Sequence, residues 1–496
     1  MLRVRAILFA VVAGLACHSA VLTSPRPAGA VGPLAALRVA IDSMADAPEF
    51  SNAHWGILIV DPERHDTLYS RNAGKLFMPA SNMKILTSAT ALAQLGPDYR
   101  YRTPFAARGH VADGTLSGDL LVFGRGDPSV SDHMLHDAMI PLRAIADSIA
   151  ARGIRHITGR VLAAGDAFPD AVLGYGWSYD DFEDSYSAPT DELLFNEGFS
   201  EIHVRGGERP GDPVHTVVGP ARTVTRVHVT ATTGPAVNSD SARRRANTLR
   251  ARKDSTTWDV TLEGQIAARD TTTIEVTHHD PDAAYVAAVR EALADNGITV
   301  DGGSAGATDA RIDTLAVLSS PPLREILKAL MKPSQNQIAE MLFRTVALTA
   351  VGVGRADSAR DVVQRQIAKW NVPPSEAVVR DGSGLARYDY ISPRTVVRVL
   401  DAMKSSPDFQ VYYDALPIGG VDGTIRGRMK GTPAEGNVHA KTGSVALARS
   451  LSGYVTTADH HMLIFSFLCN NWTVPVRSVE RVQDAIAARL AAMQLR

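Results

Sequence analysis

The stretch PASNMKILTSATALAQLG, residues 79–96, decides how the chain is read. Ile85, Leu86, Ala89 and Leu92 recur at helical spacing and Gly96 is a good stop, so the pattern predicts a helix whose first turn carries Ser81 and Lys84. These two are i, i+3 neighbours, and their side chains can meet. As structure, Ser81 is a helix cap and Lys84 a solvated cation. As chemistry, Ser81 is a nucleophile and Lys84 its base. Ser-x-x-Lys arises by chance about once or twice in a chain of this length, so other parts of the sequence must supply a site. A basic Lys84 must be neutral part of the time. Burial and a nearby second cation both lower a lysine pKa, so a second cation is expected close by.

Around this helix the texture is α/β. PLAALRVAIDSMA reads as a helix and WGILIV as a buried strand. From about 104 to 283, short β-like runs (DLLVFG, SEIHVRG, HTVVGP, TVTRVHVTA, WDVTLEG, TTIEVTH) alternate with Gly, Pro and Asp turns, with a helical pattern only near 133–152. The locally basic SARRRANTLRARKD, 241–254, reads as a solvated hairpin or loop. Helical patterns return at 282–297 and continue through PLREILKALM, NQIAEMLFRTVALTA, DSARDVVQRQIAKW and SPRTVVRVLDAM. Two strand candidates, SLSGYVTT and HMLIFSFL, precede a final helix with Val479, Val482, Ile486, Leu490 and Met493 on one face. The economical organisation is one α/β domain, 31–103 and 284–496, interrupted by a β-rich insertion at 104–283.

The 496 residues, 45% of them hydrophobic, can bury a large core and exceed one compact domain. A net charge of -2 offers no global field for nucleic acid or an anionic membrane. Cys17 and Cys469 are the only cysteines, and no disulfide framework or thiolate metal site follows from them. Residues 1–30 read as an export signal: Arg3 and Arg5, then the short apolar run Ala6–Ala16, then a small-residue cleavage site at Ala28-Gly29-Ala30. The competing pattern is a lipoprotein signal acylated at Cys17, with GLAC departing from the usual sequence. No later stretch is long and apolar enough to span a bilayer. The expected location is periplasmic or extracellular.

Lys441-Thr442-Gly443, in a β-like context, supplies the second cation. Lys441 would depress the pKa of Lys84 and attract an anionic group, and Thr442 would bind a carboxylate. Gly443 would let a substrate backbone come close, and an edge strand here would pair with a peptide. Ser334 and Asn336 lie in PSQNQIAEML, where Ser334-x-x-Gln337 also reads as a capping box. There Ser334 would relay a proton and Asn336 hold a substrate amide. The order Ser-x-x-Lys, Ser-x-Asn, Lys-Thr-Gly is that of penicillin-binding proteins and β-lactamases. GGSAG, 302–306, matches a nucleophile elbow around Ser304, but no helix follows it. The 15 histidines show no triad or metal spacing, and HHD at 278–280 reads as a linker.

With these motifs, LSGDLLVFGRGDPSVS (116–131), DGSGLARYDYISP (381–393) and LPIGGVDGTIRGRMKGTPAEGNVHAKTG (416–443), the chain resembles the serine-type D-alanyl-D-alanine carboxypeptidases/endopeptidases of the class C low-molecular-mass penicillin-binding proteins. The resemblance implies a β-lactamase-like transpeptidase domain, an antiparallel sheet with helices. Two nested β-rich domains would be inserted between the first and second motifs, the outer at about 104–190 and 251–283, the inner at about 191–250. It implies attack by Ser81 on the bond between two D-alanines of a peptidoglycan stem peptide, with Lys84 as base and the backbone N–H groups of Ser81 and Ser444 as oxyanion hole. D-Ala–diaminopimelate crosslinks would be cleaved likewise, and β-lactams would acylate Ser81. It also implies that Ser383, Leu385 and Arg387 cradle the diaminopimelyl side chain, with Asp180 or Asp181 facing its ammonium. No metal or cofactor is implied. Gln335, Pro333 and Ala386 depart from the usual residues without removing a catalytic side chain. A β-lactamase or esterase on the same scaffold, and an inactive cell-wall-binding protein, are the alternatives. The long insertion and DGSGL count against the first, and the intact motifs against the second.

Overall fold

The computed structural model describes residues 32–254, 256–303 and 311–495. At its centre is a five-stranded antiparallel sheet in the spatial order 439–445, 448–456, 462–470, 54–61, 66–71. The N-terminal hairpin is thus stitched to the C-terminal strands, in register from His54 opposite Asn470 to Val60 opposite Ile464. Strand Met462–Asn470 reads as an unbroken apolar run because helices cover both faces. On one face the helices Pro33–Ala45 and Val476–Ala492 bring Leu37, Ile41, Val479 and Ile486 against Trp55, Ile57 and Phe465. On the other lie the helices Met83–Leu95, Asn336–Val351 and Pro393–Lys404. Every residue from Met83 to Leu92 is buried, which explains a helix with little polar surface.

The insertion is larger than its β-like texture implied. Strand Arg102–Ala112 pairs with Thr115–Phe123 on one side and Ile312–Ser319 on the other, within a six-stranded sheet. Helices Met139–Ala151 and Pro281–Asp295 pack on it through Leu142, Ile145, Tyr285 and Val289. The return to the first domain therefore falls near 320, not 284. Helical periodicity shows that a face is apolar but not which core it meets. The division inside the insertion moves too. Strands 199–205, 215–219 and 271–277 form one sheet, and Val260, Leu262 and Ile266 share its core, so the inner unit extends to 277 rather than 250.

One local expectation also changes. Residues 241–254 contribute a short helix, Asp240–Ala246, and a strand, Arg250–Lys253, rather than a loop. The Ser239 hydroxyl accepts the Ala242 N–H at the helix start, and Arg243–Arg245 sit where a helix end favours cations. His278 and His279 fall in the connection between strand Thr271–Thr277 and helix Pro281–Asp295, as expected, and both are packed there. His278 is buried with Nε2 3.0 Å from the Ser200 hydroxyl, and His279 stacks on Trp258 at 3.6 Å. Cys17, the export signal and Ser304 lie outside the described residues. Among the described residues no helix is long and apolar enough to cross a membrane.

Candidate active site

Ser81 sits in a 3₁₀ turn, Ala80–Asn82, just before the helix, so its hydroxyl is not spent as a cap. Ala80 holds φ at 48°, a left-handed value for a residue with a side chain, and the backbone turns sharply into the serine. The neighbouring strand keeps the turn in place. The Ser450 hydroxyl donates to the Pro79 carbonyl at 2.8 Å, and the Asn82 amide donates to the Lys441 carbonyl at 2.9 Å. Gly443 has no room for a side chain: a Cβ there would lie 2.5 Å from the Pro79 oxygen and 3.0 Å from the Ser81 nitrogen. Its role is to let the strand 439–445 lie against the nucleophile turn.

Lys84 is fully buried, with Nζ 2.9 Å from Ser81 Oγ, 2.6 Å from Asn336 Oδ1 and 2.8 Å from the Ser383 carbonyl. The Asn336 amide is oriented by its Nδ2, which donates to the Tyr186 carbonyl at 2.7 Å. Asn336 Oδ1 and the Ser383 carbonyl can only accept. In a neutral amine they take both N–H groups, and the lone pair is left for the Ser81 hydroxyl. Burial lowers the Lys84 pKa to about 7, against the opposing charges of Asp381, Glu340 and Asp389. Burial, rather than a second cation, is the largest cause of the Lys84 shift. Lys441 is itself fully buried and held well below its ordinary value, first by burial and then by the charge of Lys84.

Lys441 Nζ donates to Ser334 Oγ at 2.7 Å. Ser334 is not the cap of its helix. Gln335 is, its Oε1 accepting the Ile338 N–H at 2.9 Å, and Ser334 stands one residue outside at φ 71° with its hydroxyl turned to Lys441. The Thr442 hydroxyl lies 2.7 Å from that of Thr424. Ser81, Ser334, Asn336, Thr442, Gly443 and Ser444 share one cleft of about 810 Å³.

The DGSGL segment divides. Leu385 and Arg387 line the cleft, but Ser383 does not. The Ser383 side chain is buried in its own loop, where it donates to Asp381, and its carbonyl serves Lys84. Asp180 is exposed and off the cleft. Its neighbour Asp181 lines the cleft, with Oδ2 3.7 Å from Arg387 Nη2, and accepts the Tyr186 hydroxyl at 2.8 Å.

Two carboxylates escaped the motif analysis. Glu340 Oε1 accepts the N–H groups of Gly382 and Ser383, at 3.1 and 2.8 Å. Asp381 accepts those of Gly384 and Ala386, and the Trp177 indole N–H at 2.9 Å. Together they shape the loop that presents the Ser383 carbonyl to Lys84. Burial pushes Glu340 up to about 7. A glutamate in the apolar run IAEMLF was the available signal, since buried carboxylates need partners.

A serine and lysine at the start of a buried helix, facing a Ser-x-Asn turn and a Lys-Thr-Gly strand, define the penicillin-recognising serine enzymes. The comparisons specify the family. The D-Ala-D-Ala carboxypeptidase 3 (S13) family matches residues 37–493, and the chain belongs to it. It is 34% identical over 485 residues to the D-alanyl-D-alanine carboxypeptidase of Actinomadura sp. (strain R39), covering 94% of this chain and 87% of that one. It is 25% identical over 439 residues to the D-alanyl-D-alanine carboxypeptidase DacB of Haemophilus influenzae, covering 86% and 87%. The crystal structure of penicillin binding protein 4 (dacB) from H. influenzae superposes with a TM-score of 0.73 at 23% identity, over 90% of this chain and 97% of that one. The chain is a hydrolase of the D-Ala-D-Ala carboxypeptidase kind, a class C low-molecular-mass penicillin-binding protein.

Proposed function

We propose that the protein cleaves peptidoglycan stem peptides through an acyl-enzyme on Ser81, both at terminal D-Ala-D-Ala and at D-Ala–diaminopimelate crosslinks. The observation that carries this is Lys84: buried, with a pKa of about 7, its two N–H groups directed at acceptors and its lone pair at the Ser81 hydroxyl. Ser81 Oγ attacks the D-alanyl carbonyl as Lys84 takes its proton. The N–H groups of Ser81 and Ser444 stabilise the developing oxyanion. The proton passes to the leaving amine through Ser334, which Lys441 holds. Water then hydrolyses the ester.

Thr442 and Thr424, whose paired hydroxyls line the cleft, suit the terminal carboxylate, a small anion. The Asp181–Arg387 pair suits a free amino-acid end, with Asp181 for the ammonium and Arg387 for the carboxylate, and Tyr186 holding Asp181. That complementarity supports diaminopimelate over an uncharged side chain. β-Lactams would acylate the same serine, and the substrate places the enzyme outside the cytoplasm. The test is D-alanine release from a diaminopimelate-containing pentapeptide, alongside cleavage of a crosslinked dimer. Both activities are expected and both should vanish in Ser81→Ala. Turnover of penicillin without release of D-alanine would overturn the proposal in favour of a β-lactamase.

A further inference from the structure

The described residues include all 12 tyrosines of the chain, and the four that are exposed lie in two adjoining segments beside the catalytic cleft. They are Tyr175 (66% exposed), Tyr179 (83%), Tyr186 (45%) and Tyr388 (53%). Elsewhere tyrosines are buried or half-buried, as the hydrophobic cost of a bare ring dictates. Concentration of exposed rings at one place marks a binding surface.

The rings are held. Tyr175 and Tyr388 lie 5.7 Å apart at 40°. Gly176, at φ 79°, lets the Tyr388 ring lie against the backbone, where any Cβ would run into it. The Arg380 guanidinium sits 5.9 Å from the Tyr175 centroid. Tyr179 is packed edge-on to Phe182 at 5.5 Å. The Arg387 N–H donates to the Gly176 carbonyl at 3.1 Å, which ties the patch to the cleft-lining loop. Trp177 and Leu385 pack together beneath it. The surface is continuous with the cleft and preorganised.

We infer that this tyrosine patch is a carbohydrate subsite, which holds the glycan strand carrying the stem peptide under attack. The inference rests on the peptidoglycan reading of the cleft. Pyranose rings present polarised C–H groups that suit the negative face of an aromatic ring, and tyrosine hydroxyls can bond sugar hydroxyls and acetamides. Asp180, Glu183 and Asp184 stand exposed among the rings, where their carboxylates can accept hydrogen bonds from sugar hydroxyls. Stem peptides are covalently attached to the sugar chain, so a glycan must lie near any cleft that a stem occupies. Fixed rings lose little entropy when a flexible strand settles on them.

The test separates the patch from the chemistry. Glycan strands freed of stem peptides are titrated calorimetrically into Ser81→Ala protein, and then into Ser81→Ala carrying Tyr175→Ala and Tyr179→Ala. Binding that weakens tenfold or more in the tyrosine variant is expected, with Tyr175→Phe retaining it. No binding to the Ser81→Ala protein, or equal binding to both, overturns the inference. In parallel, with Ser81 intact, Tyr175→Ala/Tyr179→Ala should keep kcat/KM on free peptide and lose about tenfold on glycan-attached peptide through KM. Equal loss on both substrates would assign the tyrosines to the shape of the cleft and overturn the subsite. Loss of all activity in the wild type would instead refute the peptidase reading, a failure the peptide-free titration does not share.

Discussion

Asn336→Asp is the most informative single change. It keeps an acceptor 2.6 Å from Lys84 Nζ but gives it a full negative charge. Charge centres about 4 Å apart interact by about 4 kcal/mol at an effective dielectric of 20. That is about 3 pKa units. The charge favours the ammonium, so the sign is upward, from about 7 towards 10. With Lys84 as base, activity follows its neutral fraction. About half of wild-type molecules are competent at pH 7, and about one in a thousand of the variant, a loss of roughly 500-fold. Even half the Coulomb term costs about 15-fold. The assay is the acylation rate by a chromogenic β-lactam from pH 5 to 10, beside Asn336→Ala, which removes the acceptor without adding charge. The rising limb should move by 1.5 to 3 units in Asn336→Asp, with activity partly recovered at pH 10. A loss that is the same at every pH, with the limb unmoved, would refute Lys84 as the base.

Other outcomes follow from the same contacts. Gly443→Ala forces a Cβ against Pro79 and Ser81, and acylation should fall about 100-fold, since a displacement of about 1 Å suffices, while the melting temperature drops by a few degrees. Asp181→Asn and Arg387→Ala should each cut kcat/KM about tenfold on diaminopimelyl peptides and barely on substrates lacking a charged side-chain end; equal effects on both would remove the pair from recognition. Burial lowers the His278 pKa to about 3, below its unfolded value of about 6.5. The unfolded chain therefore binds a proton that the native state refuses. Stability is unaffected above pH 6.5 and is lost as pH falls towards 3, by about 2 kcal/mol at pH 5. Thermal melts at pH 7 and pH 5 should show this loss, and His278→Asn should lessen it.

The catalytic domain was legible where the sequence repeats a pattern that burial imposes. The apolar helix 83–95 and the strand 462–470 are examples, because their neighbours leave no polar option. The motif residues Ser81, Lys84, Ser334, Asn336 and Lys441 were legible as a set because a reactive lysine needs particular company, and the fold brings them together from three separate segments. Pairing between distant segments was not legible. The strand 312–319 joins 102–112 across some two hundred intervening residues, and no local period in either one names its partner. Side-chain direction in loops was equally hidden. Ser383 faces inward and Asp181, not Asp180, faces the cleft, which one residue of backbone twist decides. The cause of the Lys84 shift lay in burial, and short-range sequence carries little information about that.

The central claim is that Ser81 is the nucleophile activated by Lys84. Incubation with labelled penicillin followed by peptide mapping tests it most directly. A long-lived adduct on Ser81, formed faster as pH rises through 7 and absent in Ser81→Ala, is the predicted result. An adduct on another serine, Ser304 included, or acylation that persists in Ser81→Ala, would contradict it.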